Sequence, residues 1–96
     1  MTPEALTKLA TIINAKGRFF QDYGYFKFEI RSVDSYLVQE AGELLGITPT
    51  VAQSHGKAQF RLRLTSDRAR KLVQDIYPWL SPKHRAKVAQ LLSPRI

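Results

Sequence analysis

Cysteine is absent from this 96-residue sequence, which excludes a disulfide framework and any zinc site built on thiolates, and which fits a reducing compartment. Long apolar runs are absent too. No stretch approaches the ~20 residues needed to span a bilayer, and Met1 to Ala10 lacks the charged start and apolar centre of a secretory signal, so no membrane partner is expected. Acidic residues are scarce, 8 against 15 Lys and Arg, for a formal charge of +7. That excess attracts polyanions over several ångströms. Glycine is sparse, and none of its five copies forms a phosphate-cradling loop. His55 and His84 stand without metal-ligand spacing or a neighbouring carboxylate pattern. Glu40 and Glu43, one helical turn apart, read as a solvated helix face. No cofactor and no resident metal are expected.

What is present suits one domain spanning residues 1–96, since 44% hydrophobic content in a chain of this size normally forms a single core. Thr2 followed by Pro3 is a good helix start, and Leu6, Leu9 and Ile13 mark its apolar face. Thr7, Ala10, Thr11 and Asn14 form a neighbouring face of small side chains, and Gly17 is placed to end the helix in a left-handed conformation. From Arg18 the period changes to two. Phe26, Phe28 and Ile30 alternate with Tyr25, Lys27, Glu29 and Arg31, and Asp22, Tyr23 and Gly24 supply a turn. Ser32 or Asp34 can cap a second helix carrying Leu37, Val38, Ala41, Leu44 and Leu45, which Gly46 stops. Thr50 to His55 is a weaker strand, Gly56 and Lys57 make a hairpin turn, and Ala58 to Thr65 alternates again. Ser66 and Asp67 begin a third helix that ends near Pro78, and Ser81 and Pro82 begin a fourth.

The order is αββαββαα, an α+β chain. Its two hairpins join most simply into one four-stranded antiparallel sheet, with the helices on one face and the other face in water. Alternation assigns Arg18, Phe20 and Asp22, then Tyr25, Lys27, Glu29 and Arg31, then Gln59, Arg61 and Arg63 to the open face, with Gln53 and His55 following on the third strand. Five cations against two carboxylates leave a net +3 on that face. Arginine and lysine suit phosphates and the acceptor edge of guanine, glutamine suits adenine, and a carboxylate can accept from cytosine.

The segment Leu9 to Gly17, LATIINAKG, resembles the LAGLIDADG motif of the homing-endonuclease family. Leu9, Ala10, Ile13, Ala15 and Gly17 match by identity, and Ile12 is a conservative change. The run Tyr77-Pro78-Trp79-Leu80-Ser81-Pro82-Lys83 resembles the end of the family's domain. The resemblance implies a saddle-shaped sheet on duplex DNA, and a two-fold dimer formed by the motif helices, for which Thr7, Ala10, Thr11 and Asn14 are the interface candidates. It also implies that Lys83 lies near a phosphate. Thr11 departs from the motif's glycine, and its branched side chain should push the two helices somewhat apart or force a different crossing. Asn14 and Lys16 replace the motif's two acids, the second of which holds the divalent metal in that family. An ammonium repels such a cation and pairs with a phosphate instead, so Lys16 joins the expected DNA contacts and no catalytic residue is expected.

The resulting expectation is a homodimeric, sequence-specific binder of double-stranded DNA with a near-palindromic site. It would act inside the cell, in the cytoplasm or in an organelle or nucleoid holding DNA. Two alternatives stand beside it. One is an endonuclease or nickase using Mg2+ with a partner subunit that brings the missing acid; the other is an RNA-binding splicing maturase, for which Phe20 and Tyr25 would supply stacking.

Overall fold

The computed structural model describes residues 2–54 and 56–92, so His55 lies outside the described residues. Helix α1 runs Pro3–Lys16, strand β1 Gly17–Asp22, β2 Tyr25–Ser32, helix α2 Ser35–Leu45, β3 Thr50–Ser54, β4 Lys57–Thr65, and α3 Ser66–Ile76. A 3-10 turn at Tyr77–Trp79 leads to α4, Pro82–Leu92. The expected order, αββαββαα, is therefore present.

Local chemistry accounts for most boundaries. The Thr2 hydroxyl accepts from the Ala5 amide at 3.2 Å, and Pro3 sits in the first turn, where its missing donor costs nothing. Of the two candidates for the α2 cap, Asp34 serves: its carboxylate accepts from the amides of Tyr36 and Leu37. Gly46, at φ 71°, closes that helix in the left-handed region. Tyr23 and Gly24 take φ of 52° and 81°, the two positive values that a two-residue hairpin turn matching strand twist requires.

Two expectations are corrected. Gly17 is extended, at φ −81° and ψ 155°, and starts β1 without a left-handed residue. Its need for glycine is steric, because a Cβ there would lie 2.8 Å from both Cγ2 and the carbonyl oxygen of Ile13. The second hairpin turns one residue early. Ser54 pairs with Lys57, so Lys57 belongs to β4, and Gly56 at φ 77° supplies the left-handed turn conformation.

The sheet order is β1-β2-β4-β3. Both hairpins are antiparallel, and they meet where β2 pairs antiparallel with β4. Phe19, Phe26, Phe28, Ile30, Leu62 and Leu64 share one side and are buried. They pack with Leu6, Leu9 and Ile13 of α1, Val38 and Ala41 of α2, Ala69, Leu72 and Ile76 of α3, and Val88 of α4. All four helices thus cover the same face, and the odd-numbered outward residues of β2 are left facing away from them. Among the described residues, no helix is long and apolar enough to cross a membrane.

Candidate nucleic-acid interface

Directly opposed residues in antiparallel strands share a face, so the strand register sorts the uncovered surface into rows. Arg18, Glu29 and Arg63 form one row across β1, β2 and β4. Phe20, Lys27 and Thr65 form the row on one side of it, and Arg31, Arg61 and Thr50 the row on the other. Asp22 faces Tyr25, and Gln59 faces Ala52. Ten of the residues assigned by alternation therefore lie together: Arg18, Phe20, Asp22, Tyr25, Lys27, Glu29, Arg31, Gln59, Arg61 and Arg63.

Gln53 is a correction. It pairs with Ala58, two residues from Phe60 and therefore on that residue's side of the sheet, so Thr50 and Ala52 take the outward places on β3. The cause is visible in burial. Val51 is 59% exposed, which leaves β3 without the deeply buried side that would have fixed its phase.

The outward charges are organised. Glu29 is 6% exposed, yet its Oε1 accepts from Arg31 Nε at 2.9 Å and its Oε2 from Arg63 Nε at 3.2 Å. Each oxygen accepts one arginine, so Glu29 lies among the arginines and holds two of them. Asp22 Oδ2 binds Lys27 Nζ at 3.0 Å. The Arg18 guanidinium stacks on the Phe20 ring at 4.5 Å, an arrangement that fixes a cation by its attraction to the ring face. Arg61 has no ion-pair partner among the described residues.

At the edge of the sheet a second cationic group forms. A cleft of about 460 Å³ between β1 and α4 is lined by Arg18, Lys83, His84, Lys87 and Gln90, with Phe19 at its apolar side. Lys16 precedes it at the exposed end of α1. Lys87, one turn beyond Lys83, had a legible signal in its spacing of four residues along one helix.

That corner is held by side chains whose partners lie far along the chain. Asn14 Nδ2 donates to the Trp79 carbonyl at 3.2 Å, and its Oδ1 accepts from the Ser81 amide at 2.9 Å. His84 Nε2 donates to the Gly17 carbonyl at 3.1 Å. The Ser81 hydroxyl lies 2.9 Å from His84 Nδ1 and accepts from the His84 amide at 3.3 Å, capping α4. The His84 ring also meets Phe19 edge-on at 5.9 Å. Histidine and asparagine here join the end of α1 to the start of α4, which brings Lys16, Arg18 and Lys83 to one region.

The small face of α1 divides. Ala10 is 3% exposed and belongs to the core, which removes it from the interface candidates, because a residue already covered by its own chain has no surface to offer a second. Thr7, Thr11 and Asn14 are exposed. The Thr7 hydroxyl donates to the Pro3 carbonyl at 2.8 Å and that of Thr11 to the Thr7 carbonyl at 3.0 Å, satisfying both hydroxyls within the helix. Among the described residues, no group of three or more His, Cys, Asp or Glu is placed to hold a metal ion. No protein-family model, curated protein or solved structure matches this chain.

Proposed function

We propose that the chain is a sequence-specific binder of double-stranded DNA that grips its site with the uncovered sheet face and does not cut it. The observation that carries this reading is the placement of Arg18, Lys27, Arg31, Arg61 and Arg63 on the single sheet face that no helix covers. A β-sheet surface can enter the major groove, where base pairs present distinct patterns of donors and acceptors. A strand of seven residues extends roughly 23 Å, enough to follow several base pairs. Lys16 and Lys83 flank that face and suit phosphates. Metal-assisted hydrolysis needs carboxylates beside the scissile phosphate, and Lys16 stands where the resemblance would place one, so the chain grips without cutting.

The active form in this reading is a two-fold dimer through the exposed side of α1, at Thr7, Thr11 and Asn14, so the target is near-palindromic. Selection from a randomised duplex library, with and without magnesium, tests all parts together. The expected result is an enriched two-fold symmetric site, recovered intact in both arms. Failure to enrich any duplex overturns the proposal, and products cut at one position in the magnesium arm transfer it to the endonuclease alternative. Tyr25, 60% exposed beside the hairpin tip, is the observation that favours single-stranded RNA; an RNA competitor that displaces the selected duplex at equal concentration would establish that reading instead.

A further inference from the structure

Glu29 is out of place on a surface built only for charge. It is the most buried charged residue of the uncovered face, at 6% exposure, and it lies within the cationic rows. A carboxylate there lowers the local potential and so opposes the sequence-independent attraction to phosphates. Burial of a carboxylate is itself costly unless its oxygens are satisfied, and here each accepts one arginine Nε. Something other than general affinity must account for it.

The atoms used are informative. Arg31 and Arg63 both engage Glu29 through Nε, and the two terminal amino groups of each guanidinium make no bond to other described residues. Their side chains remain 40% and 42% exposed. A guanidinium tethered by Nε to a fixed carboxylate loses most of its rotamer freedom before any ligand arrives. The pair of amino groups left at its tip is the fork that makes a bidentate contact with O6 and N7 of guanine. A phosphate contact demands little orientation, whereas a base edge does.

We infer that Glu29 is a positioning residue for sequence reading: it clamps Arg31 and Arg63 so that their outer forks meet two guanines in each half-site. This rests on the DNA reading above and deepens it. Arg63 lies directly opposite Glu29 on β4, and Arg31 two residues along β2, so the two forks sit on neighbouring rows of one sheet and belong to one half-site. Arg61, in the same row as Arg31, has no carboxylate partner among the described residues and is left for the backbone.

The test is selection from a randomised duplex library by the full chain and by its variants, followed by affinity measurement on the selected site and on copies with each enriched guanine replaced. The wild type should enrich guanine at two positions per half-site, each replacement weakening binding on the order of tenfold or more. Arg31→Lys and Arg63→Lys, which keep the charge and lose the fork, should each erase a different one of the two preferences. Glu29→Gln should erase both while binding to unrelated duplex is kept or strengthened, since a negative charge has been removed. A merely structural role would weaken binding to all duplexes alike. If Glu29→Gln keeps both guanine preferences, or if neither lysine variant loses one, the clamp is overturned while DNA binding stands. If the wild type enriches no duplex, the DNA reading and the clamp fall together. Circular dichroism of each variant, matched to wild type, guards against loss of fold, and the lysine variants retain the Glu29 ion pairs if Glu29→Gln does not fold.

Discussion

Asn14 and Ser81 are joined across most of the chain, the Ser81 amide donating to Asn14 Oδ1 at 2.9 Å while Asn14 Nδ2 donates to the adjoining Trp79 carbonyl at 3.2 Å. An amide does both, since it presents one acceptor and one donor group on a single carbon. A carboxylate would accept from Ser81 and set a negative oxygen against the Trp79 carbonyl. Asn14→Asp is therefore expected to destabilise the fold by about 1–2 kcal/mol. For a domain of this size that is a fall in Tm of roughly 4–8 °C per kcal/mol, readable by thermal denaturation. An unchanged Tm would show that this link does not hold the end of α1 to the start of α4.

Gly17 and Gly24 are both intolerant of a side chain, for different reasons. At Gly17 the backbone conformation suits any residue, but an added Cβ would lie 2.8 Å from Ile13 Cγ2. At Gly24 the surroundings are open while φ is +81°. Gly17→Ala should cost about 1–3 kcal/mol by overpacking, and Ile13→Ala in the same chain should recover part of that loss in a double-mutant cycle. Gly24→Ala should cost about 1–2 kcal/mol from the backbone alone, with no such coupling. Chemical denaturation of the four variants decides it.

The same contrasts explain what the sequence could and could not convey. Phe26, Phe28 and Ile30, like Leu62 and Leu64, announce their faces because burial imposes a strict period of two on central strands. Gln53 misleads because β3 is an edge strand whose Val51 is itself exposed, so its alternation has no buried side to anchor it. Ala10 and Thr11 are adjacent on the same helix, and only the packing of α1 on the sheet separates the core member from the exposed one. The bonds of Asn14 and His84 reach 65 to 67 residues along the chain, beyond anything that local spacing encodes. Glu29 was legible as an outward residue with Arg31 two places along the same strand, but its second partner, Arg63, depends on the register of β2 with β4.

Tyr23 holds a left-handed φ of 52° at the tip of the first hairpin and is 93% exposed. An aromatic residue there carries backbone strain with no packing to offset it. Asparagine tolerates the left-handed region and followed by glycine forms the favoured turn of this type. Tyr23→Asn should stabilise the chain by up to about 1 kcal/mol, seen as a rise in Tm. A fall would mean that the ring makes a stabilising contact in solution.

Cations on the uncovered face should contribute unequally to the salt dependence of DNA binding. Arg61 has no ion-pair partner among the described residues, whereas Lys27 is bound to Asp22 at 3.0 Å with its side chain only 19% exposed. A cation that neutralises a phosphate adds about 0.9 to the slope of log affinity against log salt concentration. One already neutralised by a carboxylate releases no counterion from the duplex. Arg61→Ala and Lys83→Ala should therefore each lower the slope by about 0.9, and Lys27→Ala by well under half as much. Titrations of the selected site at four or more salt concentrations give these slopes directly. Equal losses for Lys27→Ala and Arg61→Ala would show that Asp22 releases its lysine when duplex binds.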